Sequence, residues 1–217
     1  MIIGITGICE DKKKNRCMMS SGKNTLMNHL CGHYGYMNVA LADEIKRTAK
    51  RWWPKFTYEH LWGPSEKRNE EVEVAPGVLL SARHACQQIG TEVARVIDKD
   101  IWCRTFIANA RLVWECKHSY APETGVLNRM TTGPSGVGCS DMRFKNEMQY
   151  IQANGGKVVR VRRKVKELPE GVDLSHQSEI DLLDVPDEEF DYVIKNDQDV
   201  EYLKLRGDMM LKDLKAP

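Results

Sequence analysis

The chain predicts an α/β fold, a three-layer αβα arrangement around a parallel five-stranded sheet. Short apolar runs recur at 2–7, 37–40, 137–141, 157–161 and 190–194, separated by stretches of helical periodicity. That alternation gives parallel strands covered by helices on both faces. A length of 217 residues suits one well-filled domain spanning 1–217 and is short for two cores of ordinary size. With 41% hydrophobic and 29% charged residues, the composition is that of a globular chain. In such a sheet function belongs at the carboxyl ends of the strands.

The first strand, Ile2-Ile3-Gly4-Ile5-Thr6-Gly7, ends on a glycine that suits a close turn. Cys9 to Met18, within a segment of about 8–19, reads as an insertion looped out into solvent, because its center, 10–16, is entirely polar. Ser21-Gly22-Lys23-Asn24-Thr25 then opens a helix with Leu26, Met27 and Leu30 on one face. A second strand at 37–40 leads into a helix from Leu41 to Arg51, stopped by Pro54. Residues 52–77, with three tryptophans and three prolines, lack periodicity and read as irregular walls. The strongest helical stretch, 81–115, places Ala82, Ala85, Ile89, Val93 and Ile97 on one face and breaks at Asp98-Lys99-Asp100.

Residues 117–136 read as a long loop, of the kind that has a function or moves. A third strand at 137–141 and its helix follow, then a fourth at 157–161, from which Arg160, Arg162 and Arg163 leave toward the functional end. A Pro-Gly segment at about 162–178 reads as a lid. The fifth strand, 190–194, precedes a closing helix over 199–214 with Val200, Leu203, Met210 and Leu214 inward.

A formal charge of +1 gives no global field toward nucleic acid or an anionic bilayer, so neither is an expected partner and an anionic ligand must be held locally. No apolar run is long enough to span a membrane, and the start lacks a secretory pattern, so a cytoplasmic location is expected. Seven cysteines without a Cys-x-x-Cys pair read as free thiols in a reducing compartment. The six histidines have no spacing that suggests zinc, and His176 reads as a cap or brace after the lid.

The local anion site falls at Gly22-Lys23, where a helix N-terminus follows the first strand. Backbone amides there surround phosphate oxygens, and a lysine ammonium bridges terminal phosphates. The strict phosphate-loop pattern asks for glycine at 17 and serine or threonine at 24, where this chain has Cys17 and Asn24. Measured from Gly7, the five-residue offset to the second glycine has become fifteen. Asn24 can hold a metal-bound water, and Thr25 can supply a nearby hydroxyl. Lys12, Lys13, Lys14 and Arg16 are phosphate ligands or a solvated charged loop.

Asp141 at the end of the third strand can orient Mg²⁺ through water, with Arg143 on transferring phosphoryl oxygens, or it can cap the next helix. Arg160, Arg162 and Arg163 can cancel repulsion between two phosphorylated reactants, or they form a basic solvated loop. Trp52, Trp53, Trp62 and Trp102 can stack on a base or fill core. Arg68 and Arg83 are candidates for a monophosphate, and Gln88 and Glu92 for base or sugar edges.

In their order and spacing these blocks resemble the bacteriophage deoxynucleoside monophosphate kinases, relatives of the adenylate-kinase-like and dephospho-coenzyme-A-kinase-like phosphate-loop enzymes. The matching stretches are Ser21 to Thr25, Ala40 to Asp43 with Lys46, Gly63 to Asn69, Gln88 to Glu92 with Arg95, Asp100 and Trp102, Ser140 to Glu147, His176 to Glu179, and Phe190 to Ile194 with Asn196. The resemblance implies transfer of the ATP γ-phosphate to a deoxynucleoside 5′-monophosphate, with ATP and Mg²⁺ as cofactors.

It implies that Gly7, Ser21, Gly22, Lys23, Asn24 and Thr25 bind ATP, and that Asn24 and Asp141 attend the metal. Lys23, Asp141, Arg143, Arg160 and Arg163 would carry the chemistry. Asp43, Lys46, Arg68, Arg83, Gln88, Glu92 and Trp102 would form the acceptor side, within about 52–102 and the preceding helix. The resemblance is compatible with a homodimer. A kinase for another small phosphate acceptor, such as dephospho-coenzyme A, and a nucleotide-binding protein without turnover are the competing readings.

Overall fold

The computed structural model describes residues 1–13, 15–18, 20–168 and 177–215. The chain divides into two compact units, Met1–Asn38 with Thr132–Pro217, and Val39–Thr131.

The first unit holds the expected parallel sheet. Its strands Ile2–Glu10, Tyr36–Asn38, Gly136–Cys139, Lys157–Lys164 and Tyr192–Lys195 lie in the spatial order fifth, fourth, first, third, second. Helices Lys23–Tyr34 and Val200–Lys215 cover one face, where Leu26, Met27, Leu30, Leu203, Met210 and Leu211 pack with Ile3, Ile5, Val159, Val161 and Ile194. Each such side chain removed from water contributes roughly 1.5–3 kcal/mol. Alternation along the strand turns Gly4 to the other face, where the helix Lys145–Ala153 sets Ile151 against it. The result is the three-layer αβα arrangement.

The first strand does not end at Gly7. It continues through Ile8, Cys9 and Glu10, paired with Arg162, Arg163 and Lys164 of the fourth strand. Arg16–Cys17 then folds back antiparallel on Cys9 and Glu10 as a sixth, short strand. The segment read as a looped-out insertion is therefore a hairpin that extends the sheet, and only its turn is polar and exposed. The Asp11 carboxylate ties that turn by accepting from the amides of Lys13 at 2.8 Å and Asn15 at 2.9 Å. Ile8, Cys9, Cys17 and Met18 are buried, so the sequence around the polar center supplies the apolar contacts that keep the hairpin down.

Gly7 accordingly sits inside a strand and makes no turn. Its hydrogen side chain is needed for another reason, since a Cβ there would lie 1.7 Å from Ser21 Oγ. The longer fourth strand likewise keeps Arg160, Arg162 and Arg163 within the ladder, where they were expected to leave it. The closing helix begins at Val200, whose first-turn position is exposed, while Leu203 and Met210 face inward as expected.

The second unit is mainly helical, with helices Asp43–Trp52, Tyr58–Trp62, Ser65–Asn69, Ala82–Gln87 and Ile101–Trp114. The walls at 52–77 resolve into two of these short helices and one strand of the hairpin Glu71–Ala75 with Val78–Ser81. The loop expected at 117–136 contains a second hairpin, His118–Ala121 with Gly125–Arg129, that cross-strand pairs such as Tyr120 and Val126 hold together. The helical phase expected over 81–97 fails midway because Gln88–Ala94 is a π-helix. Its i→i+5 bonding adds a residue per turn, so Ile89 is buried while Val93 and Ile97 emerge at 48% and 84% exposure. Phe56, Leu61, Ala82, Ala85, Ile89 and Trp102 form the core of this unit.

Replacing Gly7 by alanine forces its new methyl group against the buried Ser21 hydroxyl. Denaturant unfolding of Gly7→Ala is expected to show a loss of about 1–3 kcal/mol; an unchanged midpoint and slope would contradict this packing.

Candidate functional site

The helix Lys23–Tyr34 starts without a side-chain cap and without an acid in its first turn, leaving its first amides to an outside acceptor. Gly22 reaches that start with φ +100°, a left-handed conformation that glycine adopts without strain, and Ser20 has φ 55°. Asn196 secures the bend by donating from Nδ2 to the Ser21 carbonyl at 2.8 Å, while its own amide donates to the Arg162 carbonyl at 2.7 Å. Ser21 Oγ is buried against Gly7 and has no hydrogen-bond partner among the described residues. An orphaned hydroxyl beside an uncapped helix start fits an oxygen of a bound phosphate.

The Lys23 ammonium donates to the Met18 carbonyl at 2.9 Å, a contact made by the returning arm of the hairpin. Its pKa is lowered to about 8, chiefly by desolvation and then by the Arg143 charge, while Glu179, Asp141 and the Cys9 thiol oppose the shift. The charges of Asp141 and Arg143 thus act directly on Lys23. Arg143 is ion-paired with Glu179 at 2.5 Å, and its backbone is pinned where the amides of Arg143 and Phe144 donate to Glu147 Oε2 at 2.7 and 3.1 Å. Capping of the helix Lys145–Ala153 falls to the buried Glu147. Arg163 reaches the Ser20 carbonyl at 3.2 Å.

Lys23, Asp141, Arg143 and Arg163 thus gather around one loop, and Arg160 does not. It is buried on the other side of its strand, donating to the carbonyls of Leu182 and Val185, both at 2.6 Å, and to Asp187 at 2.9 Å, with its guanidinium 4.0 Å from the Phe190 ring center. Those bonds make Arg160 a brace for 182–190 and turn it away from the loop, a correction to its expected catalytic place. Arg162 pairs with Asp187 and Glu10. Lys14 and residues 169–176 of the expected lid, His176 among them, lie outside the described residues.

Asn24 is exposed and Thr25 half-buried. Among the described residues no cluster of three or more histidine, cysteine, aspartate or glutamate side chains can hold a metal. Mg²⁺ fits this loop only as a companion of bound phosphate, with phosphate oxygens and waters as most of its ligands and Asp141 beside them.

In the second unit Arg68 Nη2 and Arg83 Nη2 both donate to Ser65 Oγ, at 3.1 and 3.4 Å. Lys46 stands 5.8 Å from the Trp62 ring center. Burial lifts the Cys86 thiol to about 11, against the pull of Lys46 and Arg68. Lys46, Arg68 and Arg83 thus form a cationic cluster, and Ser65, quoted in the sequence only as part of a motif, is its hub. Gln88 and Glu92 project from the π-helix and are exposed.

Two expected acceptor residues have structural work instead. Asp43, 2% exposed, accepts from Trp62 Nε1 at 2.9 Å, the Tyr120 hydroxyl at 2.8 Å and the Ala40 amide at 3.2 Å. Trp102 is packed in the core and donates from Nε1 to the Gly90 carbonyl at 3.0 Å, so its ring is not open to a base. No side-chain pattern in the sequence distinguishes these roles, because both depend on partners far along the chain.

The chain is 24% identical over 187 residues to a protein of Acanthamoeba polyphaga mimivirus named "Putative deoxynucleotide monophosphate kinase", a match covering 83% of this chain and 86% of that protein. It is a distant viral relative. No family model matches the chain. No helix among the described residues is long and apolar enough to cross a membrane.

An anion seated on Lys23 stabilizes the ammonium and raises its pKa above about 8. Binding of tripolyphosphate at a pH just above that value should therefore take up a proton, read by calorimetry in buffers of different ionization enthalpy. The uptake should vanish in Lys23→Met. Equal uptake in the variant would place the titrating group elsewhere.

Proposed function

We propose that this chain transfers the γ-phosphoryl group of ATP to a deoxynucleoside 5′-monophosphate, yielding ADP and the deoxynucleoside diphosphate. The observation that carries the reading is the loop around Lys23, with an uncapped helix start, a buried Ser21 hydroxyl lacking a partner among the described residues, and a desolvated ammonium within the field of Asp141 and Arg143. Further support comes from the cationic cluster on Ser65 and from the name of the mimivirus relative.

In this reading Gly22 and the first helical amides hold the β-phosphate, while Lys23 holds the transferring group. An oxygen of the acceptor phosphate attacks the γ-phosphorus as the bond to the β-phosphate oxygen breaks. The acceptor is already ionized, so no general base is required, and the barrier is dominated by charge repulsion. Arg143 and Arg163 offset that charge with rigid donor forks. Arg68, Arg83 and Lys46 hold the acceptor phosphate, with Gln88 and Glu92 facing its nucleoside. Mg²⁺ bound with the nucleotide would neutralize phosphate charge, and Asp141 and Asn24 are the residues that would attend it.

Desolvation makes each of these charges count. In bulk water the attraction between an ammonium and a phosphate is strongly screened, whereas in a low-dielectric site it is several-fold larger. Burial is the largest cause of the lowered pKa of Lys23, ahead of the Arg143 charge.

The test is a panel measuring ATP-dependent conversion of dAMP, dGMP, dCMP, dTMP and modified monophosphates, with dephospho-coenzyme A as an alternative acceptor. Formation of ADP and a deoxynucleoside diphosphate is expected. ATP binding with no ADP from any acceptor would overturn the reading in favor of a nucleotide-binding protein.

Two variants separate the roles. Lys23→Met should lower kcat by about 10²–10³, the scale of losing one preorganized donor at developing charge. Arg68→Ala should raise the acceptor KM about tenfold or more, the scale of one charge-assisted hydrogen bond, with a much smaller change in the KM for ATP. Equal effects on both substrates would remove Arg68 from the acceptor side.

A further inference from the structure

The hairpin that interrupts the phosphate loop sets Cys9 directly opposite Cys17. Opposed residues on an antiparallel ladder point to the same face with Cα atoms roughly 4.5–5.5 Å apart, inside the roughly 4.4–6.8 Å that a disulfide spans. Both cysteines are buried and carry reduced thiols, and the Cys9 thiol is hydrogen-bonded to Cys17. Cys17 immediately precedes Met18, whose carbonyl accepts from the Lys23 ammonium. Lys23 and Arg163 both act electrostatically on the Cys9 thiol, so the pair and the loop share one neighborhood.

We propose that Cys9 and Cys17 form a redox-responsive pair, which a peroxide oxidizes to a disulfide that fixes the entry to the phosphate loop and weakens nucleotide binding. Cys17 lies on the short 16–17 strand, whose local opening exposes it, so Cys17 is the attacking sulfur. Its sulfur attacks one oxygen of hydrogen peroxide, the O–O bond breaks, and a sulfenic acid and one water are formed. The Cys9 sulfur then attacks the Cys17 sulfur, the S–O bond breaks, and the hydroxyl leaves with the Cys9 proton as a second water. The two cysteines lose two electrons and the peroxide gains them. Because both sulfurs are buried, access requires local opening of the short 16–17 strand, which has only two ladder partners.

The consequence for the loop follows from chain connectivity. A phosphate ligand must draw Lys23 off the Met18 carbonyl, and a bond at residue 17 keeps that carbonyl from retreating. The ligand then competes with a fixed acceptor.

The experiment treats the full chain with hydrogen peroxide, alkylates the remaining thiols, maps peptides by mass spectrometry, and measures ATP affinity before and after dithiothreitol. A Cys9–Cys17 linked peptide is expected, with ATP affinity lowered about tenfold, the scale of one charge-assisted hydrogen bond, and both reversed by the reductant. Cys9→Ala and Cys17→Ala should each keep their ATP affinity through the same treatment; two variants guard against one that folds poorly.

Sulfinic or sulfonic acid at these positions, or linkage of either to another cysteine, would overturn the pair. A linked peptide with unchanged ATP affinity would overturn its effect on binding. That second arm rests on the kinase reading, whereas peptide mapping does not. Absence of ATP binding to the reduced protein would therefore count against the kinase reading and against the regulatory effect, leaving the disulfide to be decided by the linked peptide.

Discussion

The structure of the candidate site depends on the close approach of Ser21 to Gly7. The Ser21 hydroxyl occupies the space that a side chain at residue 7 would fill, and its carbonyl is held by the Asn196 amide. This packing joins two stretches that the hairpin separates in sequence. It fixes the direction of the bend at Gly22, the start of the helix after it, and the depth at which Lys23 is buried. Asn196 is in turn held by the Arg162 carbonyl, so the fourth strand, the end of the fifth and the loop are one hydrogen-bonded unit.

Around that unit the charges divide by strand geometry. Period-two alternation sends Arg160 and Arg162 to one side of the fourth strand and Arg163 to the other. Arg160 and Arg162 meet Asp187, whose carboxyl is held below the usual range by these guanidiniums against the cost of burial. Arg163 meets the Ser20 carbonyl in the loop before the helix that Lys23 opens. One basic run thus serves as a brace on one side and a loop contact on the other.

Much of the sheet was legible because its strands are short apolar runs bounded by glycine and polar residues, and the order of elements required a parallel arrangement. The continuation past Gly7 was not legible, since its ladder partners Arg162, Arg163 and Lys164 are charged and their pairing is nonlocal. The π-helix was hidden for a related reason. Apolar residues at 82, 85, 89, 93 and 97 satisfy an α-helical template, and only the geometry shows that one turn is wider. Within the site, the Gly22-Lys23 start could be read locally. The sorting of Arg160 from Arg163, the occupation of Asp43 by Trp62 and Tyr120, and the role of Ser65 between two arginines could not, because each depends on residues distant in the chain.

The central claim is that Ser21, Gly22 and Lys23 together form a phosphate cradle. A crystal structure with a nonhydrolyzable ATP analogue tests this most directly. The account predicts phosphate oxygens within hydrogen-bonding distance of the Ser21 hydroxyl, the first helical amides and the Lys23 ammonium, with that ammonium released from the Met18 carbonyl. A triphosphate bound elsewhere, with Lys23 still on Met18, would contradict it.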